Sequence, residues 1–136
     1  MPFTSLKAIK GRLPTKDRLQ RWNITTDTNC VLCDNSTETH HHLFFKCNYS
    51  NQIATKCFQM YGGQLRDNNM NQLLDYLVSQ WHAKYMEPDK DSSVFTALIW
   101  WIWKERNFRL FQSKSRSIEE VSKLIHHDAE VKLKSR

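Results

Sequence analysis

Apolar positions fall into helical stripes along most of the chain, whereas residues 25–37 are polar and show no strong period. Thr15 ahead of Lys16-Asp17-Arg18-Leu19-Gln20-Arg21-Trp22 reads as an N-cap and a short helix. Leu19 and Trp22 share one face of it, and Lys16, Arg18 and Arg21 occupy the others. Ser50 can cap a second helix in which Ile53, Cys57 and Tyr61 form a stripe, flanked by Ala54 and Phe58 and ended by Gly62-Gly63. The clearest amphipathic pattern is Met70, Leu73, Leu74, Leu77, Val78 and Trp81. After a polar break at 87–92, Ser92 or Ser93 opens a helix that is apolar almost all round from Val94 to Trp103. It turns charged at Lys104-Glu105-Arg106-Asn107 and then returns Phe108, Leu110 and Phe111. Ser117-Ile118-Glu119-Glu120 has the form of a capping box, with Ile118, Val121, Leu124 and Ile125 as the stripe behind it. No strand, internal repeat or low-complexity tract stands out, so the pattern predicts a mainly α fold.

Composition narrows the class. In 136 residues, 40% hydrophobic and 25% charged with five tryptophans, the chain is too apolar for a disordered tail and has material for a core. The longest apolar run, Val94 to Trp103, is ten residues interrupted by Thr96, well short of the ~20 that a membrane span requires. The N-terminus Met1-Pro2-Phe3-Thr4-Ser5-Leu6-Lys7 has no apolar signal-peptide core. The expectation is a soluble intracellular protein of nucleus or cytoplasm, neither secreted nor membrane-bound, whose three N-x-S/T sequons are silent. Charge is unevenly placed. Residues 1–25 set six Lys/Arg against the single acid Asp17, a balance of +5; residues 26–103 carry −3 and residues 104–136 carry +4. Two basic ends around an acidic middle suggest a polyanion such as RNA or DNA, with solvated helix faces as the plainer explanation. Lys7, Lys10, Arg12, Lys16, Arg18 and Arg21 are the residues placed to neutralise phosphates, and Phe44 or Phe45 could stack on unpaired bases.

The sharpest chemistry lies between. Cys30, Cys33, His42 and Cys47 form a C-x2-C-x8-H-x4-C skeleton. Two thiolates two residues apart can point inward from one tight turn, and a histidine and cysteine four residues apart can return the other half of a tetrahedral site. Three sulfurs and one imidazole leave no open position, so the predicted cofactor is one structural zinc ion. Between Asn23 and Glu38 only Ile24, Val31 and Leu32 are aliphatic, so this loop cannot order itself by burial. Asp34, after the second cysteine, is placed where a left-handed backbone is needed. His40, His41 and His42 are adjacent and one of them should coordinate; His42 is preferred for its gap to Cys47 and for Leu43-Phe44 beneath it. Cys57 is read as a small core residue. The organisation expected is a zinc-knuckle-like module over residues 1–62 followed by a helical region over 63–136.

Gly11-Arg12-Leu13-Pro14-Thr15-Lys16-Asp17-Arg18-Leu19, the Cys30/Cys33 pair and Glu38-Thr39-x2-His42-Leu43-Phe44-Phe45-x-Cys47 resemble the zinc-binding domain of plant LINE-type (non-LTR) reverse transcriptases. Ile99-Trp100-Trp101-Ile102-Trp103-Lys104-Glu105-Arg106-Asn107-Phe108 is similar to the tryptophan-rich helix that often follows it. The resemblance implies a nucleic-acid-associated zinc module that accompanies a polymerase, and it maps the family's ligands onto Cys30, Cys33, His42 and Cys47. Asp34 stands where the family commonly has glycine, and His41 where it commonly has an acid. No polymerase, endonuclease or RNase H motif is present, so the chain reads as a fragment or stand-alone derivative of a retroelement frame, without catalytic residues of its own. The alternative expectation is a structural or protein-interaction helical domain stapled by zinc, contacting the remainder of such a polymerase and binding no nucleic acid.

Overall fold

The computed structural model describes residues 12–60 and 90–134. Four helices are present among them: α1 (Lys16–Arg21), α2 (Asn48–Met60), α3 (Lys90–Gln112) and α4 (Ile118–Lys134), with a π-turn at His42–Lys46 leading into α2. The pairing of Asn29 with Thr37 is an isolated antiparallel bridge. The fold is mainly α, a small loop cluster followed by helices, as the pattern predicts, and the described residues contain no sheet. The Met70–Trp81 stripe, the Gly62-Gly63 stop, the boundary at 62/63, Lys7 and Lys10 lie outside the described residues.

Helices α2, α3 and α4 pack on one another, and their facing residues explain why each forms. Ile53, Ala54 and Cys57 of α2 are fully buried along the expected stripe. In α4, Val121, Ile125 and Ala129 are fully buried with Ile118 packed beside them. The capping box closes its start: the Glu120 N–H donates to Ser117 Oγ at 3.1 Å, and the Ser117 N–H donates back to Glu120 Oε1 at 3.4 Å. Helix α3 contributes Ala97, Leu98, Ile99 and Ile102, while Trp101 turns its indole N–H to Asp128 on α4 at 2.6 Å. Four apolar residues of the Val94–Trp103 segment are thus taken up by this chain's own bundle. The same core continues through Leu43, Phe44, Phe45 and Cys47 to Cys30 and Leu32, so bundle and loop cluster share one interior.

Several local expectations change. Helix α3 is already helical at Lys90, ahead of Ser92 and Ser93, and runs unbroken through the charged Lys104–Asn107 stretch. Helix α2 begins at Asn48, which puts Ser50 inside the first turn, buried, instead of at the cap. Thr15 stands at the N-cap of α1 without a side-chain cap bond. That service comes from Glu38, whose Oε1 accepts the Lys16 N–H at 2.9 Å and whose carbonyl accepts the Asp17 N–H at 3.2 Å.

Candidate metal centre

The loop before the π-turn is held by its own backbone. The Cys30 N–H donates to the Ser36 carbonyl at 2.7 Å and the Glu38 N–H to the Thr28 carbonyl at 2.7 Å, either side of the Asn29–Thr37 bridge. The Asp34 N–H donates to the Cys30 carbonyl at 2.8 Å, closing the turn that carries both cysteines. Asp34 adopts φ 59°, the left-handed conformation expected after the second cysteine. Its carboxylate accepts from the Asn29 side-chain amide, which holds a residue that glycine would fit more easily.

The π-turn returns the second half. The Thr39 hydroxyl accepts the His42 N–H at 3.0 Å, and the Cys47 N–H closes on the His42 carbonyl at 2.6 Å. Leu43, Phe44 and Phe45 point into the core beneath, all buried. Cys47 is extended, at φ −60° and ψ 132°, immediately ahead of α2. The result is convergence: the Cys30, Cys33 and Cys47 sulfurs and a ring nitrogen of His42 all lie within 4.8 Å of one another.

Those separations can be compared with the ion expected there. A tetrahedron with Zn–S of about 2.3 Å and Zn–N of about 2.0 Å has S···S edges of about 3.8 Å and S···N edges of about 3.5 Å. The Cys30 and Cys47 sulfurs stand 3.9 Å apart, and Cys33 Sγ lies 3.2 Å from His42 Nε2. Three cysteines and one histidine in this arrangement fit a single structural zinc ion and leave no donor position open.

The electrostatics distinguish the donors. Cys47 is drawn below the usual thiol range, first by the Cys30 thiol directed at it and then by the Ser50 and Tyr49 amides at the start of α2. Cys30 is pushed up by that shared bond and by burial, although the Cys33 and Leu32 amides oppose this. Of the two, Cys47 is therefore the one that gives up its proton more readily. Burial lowers the pKa of His42, which keeps its imidazole neutral and its lone pair free to bind a cation.

The other two histidines are engaged elsewhere. His40 Nε2 accepts the Leu13 N–H at 2.8 Å, and the exposed His41 ring rests against Phe45 at 5.9 Å. Cys57 is buried on α2, with its thiol pushed up to about 12 by loss of water.

Residues 1–53 match the family model zf-RVT, described as zinc-binding in reverse transcriptase. The matched segment is thus a zinc-binding domain resembling that family. No curated protein and no solved structure matches the chain. Among the described residues, no helix is long and apolar enough to cross a membrane.

The basic residues of the zf-RVT-like segment separate into two groups. Arg12 is exposed, Arg21 is exposed with Asp17 at 3.7 Å, and Arg18 lies 4.8 Å over the ring of half-exposed Trp22. Lys16 does not join them. It is buried, and its ammonium is engaged by Asp27 at 2.8 Å and the Asn29 carbonyl at 2.7 Å. Phe44 and Phe45 are likewise inside, so neither can stack on a base, and Trp22 is the aromatic exposed beside α1.

Sequence reasoning missed two buried charge clusters that carry α3 onto the metal loop. Glu38 and Arg106, 0% and 2% exposed, form a bidentate pair, with Arg106 Nη2 at 2.8 Å and Nε at 3.2 Å from the carboxylate. Glu105, also fully buried, accepts from Arg109 Nε at 2.8 Å and Arg116 Nη1 at 3.1 Å. Arg109 Nη1 then reaches the Leu32 carbonyl inside the cysteine turn at 3.4 Å, with its guanidinium 4.4 Å over Tyr49. The sequence does carry a faint signal, four consecutive polar residues inside an otherwise apolar helix.

Proposed function

We propose that Cys30, Cys33, His42 and Cys47 hold one structural zinc ion, and that the chain is a non-catalytic accessory module of a LINE-type reverse transcriptase. The observation that carries this reading is the convergence of three sulfurs and one imidazole within 4.8 Å. Bound zinc would supply ~10–16 kcal/mol of apparent free energy to a loop that has few aliphatic residues with which to order itself. The remaining work falls to the protein's own groups: the α2 amides steady Cys47, the Leu32 and Cys33 amides steady Cys30, and the closed donor set excludes water. Native mass spectrometry with and without a chelator tests the reading. One zinc per chain, lost together with the folded charge-state distribution, is expected. A chain that stays metal-free in zinc-containing buffer would overturn it.

Association with RNA or DNA is supported by the exposed Arg12 and Arg21 and by the Arg18–Trp22 stack, in a segment whose formal balance is +5. Phosphate contacts by two or three arginines give weak, sequence-independent and salt-dependent binding. Titration of fluorescently labelled single-stranded oligonucleotides with the chain should show affinity falling steeply with salt and weakening for Arg18→Ala and Arg21→Ala. Affinity indifferent to salt, or no binding at all, would favour the zinc-stapled interaction domain instead.

A further inference from the structure

The family match ends at residue 53, yet the metal loop is braced from α3, whose described contacts with it come from beyond that point. Glu38 joins three parts at once. It caps α1 through the Lys16 N–H, its own N–H fixes the loop at Thr28, and its carboxylate grips Arg106. Arg106 also donates to the Pro14 carbonyl at 3.4 Å and lies 4.7 Å over Trp103, so its guanidinium is held on several sides. One helical turn further on, Arg109 donates to the Leu32 carbonyl, between the two cysteines whose turn presents both sulfurs. Arg109 is itself fixed by Glu105 and by the Arg116 carbonyl at 3.1 Å. Tyr49, two residues after Cys47, lies under the Arg109 guanidinium and donates its hydroxyl to the same Arg116 carbonyl at 2.9 Å. Both halves of the donor set therefore rest on one helix.

Accepting the zinc assignment of the preceding section, we infer that Arg106 and Arg109 are positioning residues for the metal site, so that zinc affinity is set in part from α3. Neither touches a donor atom. Arg106 acts through Glu38, four residues before His42, and Arg109 acts through the Leu32 carbonyl, whose peptide carries the Cys33 N–H that faces the Cys30 sulfur. A guanidinium held in a fork geometry fixes its partner's orientation as well as its charge, and lysine does not reproduce this. The metal-binding unit accordingly includes α3, and metal binding is coupled to its docking.

The test uses the full chain, zinc competition with a chromophoric chelator, and cobalt(II) as spectroscopic probe. Arg106→Met and Glu38→Gln should each weaken zinc binding at least tenfold, and the double variant should lose less than the product of the two. Arg109→Gln should shift the sulfur-to-cobalt charge-transfer band, because the cysteine turn relaxes, whereas Arg109→Lys should restore it only in part. Should Arg106→Met fail to fold at saturating zinc, the Glu38→Gln and Arg109→Gln results decide, together with amide exchange in the unmodified chain. There, removal of zinc should lower protection over residues 97–110. Zinc affinities within twofold of the unmodified chain, an unmoved cobalt band and unchanged protection on α3 would overturn the coupling while leaving the zinc site standing. Failure of the unmodified chain to bind zinc would overturn both.

Discussion

At the scale of single residues, the donor set decides the account. Cys47 is a prepared donor, since it immediately precedes α2 with first-turn amide hydrogens directed at its sulfur. Replacing it by serine exchanges a soft thiolate for a hydroxyl that stays protonated near neutral pH. If four donors share ~10–16 kcal/mol, losing one removes about 3 kcal/mol, so Cys47→Ser should weaken zinc binding roughly a hundredfold or more. Chelator competition reads this directly, and unchanged affinity would remove Cys47 from the site. The contrasting prediction concerns His40, whose Nε2 is bonded to the Leu13 amide. His40→Gln should leave the zinc stoichiometry at one per chain, measured by native mass spectrometry, although it costs stability at the Leu13–Thr15 turn.

At the scale of elements, the helix ends set the expectations. Ser113, just past the end of α3, is a non-glycine residue at φ 54°, which strains its Cβ. Ser113→Gly should relieve that strain and raise stability by about 0.5–1 kcal/mol in urea unfolding. Ser117→Ala should act the other way, removing the oxygen that accepts the Glu120 N–H at a cost of about 1 kcal/mol. The start of α4 was legible because a capping box and an i, i+3, i+4 stripe are local in sequence; the same holds for Ile53-Ala54-Cys57 and for the cysteine spacing. The start of α2 was not, because rules for N-caps favour hydroxyls and carboxylates, and here a cysteine sulfur takes that place. Lys16 was read as surface because an isolated lysine normally is; Asp27 and the Asn29 carbonyl, which satisfy it in a buried position, come from a loop with no periodic pattern. Glu38 and Arg106 could not be paired from sequence, since 68 residues separate them and the polar run Lys104–Asn107 inside an apolar helix does not say which residue meets it.

At the scale of the whole molecule, loop cluster and bundle share one interior, and its titrating groups report on folding. Burial raises the Cys57 thiol from an ordinary 9.0 to about 12, despite a bond from Ser122 that opposes the shift. Between those values the unfolded chain has lost a proton that the fold retains, so stability falls as pH rises through that window. This one thiol should cost about 1.4 kcal/mol by roughly pH 10. Urea unfolding at stepped alkaline pH should show that slope in the unmodified chain and a shallower one in Cys57→Ala. Equal slopes would mean that Cys57 is not buried as described.

One metal ion and its four donors hold the loop cluster together in this reading of the molecule. Zinc K-edge X-ray absorption of the purified chain counts the donors without reference to any fold. Three sulfurs at about 2.3 Å and one nitrogen at about 2.0 Å are the expected shell. A shell with two or fewer sulfurs, or with oxygen from water in its place, would contradict the closed site formed by Cys30, Cys33, His42 and Cys47.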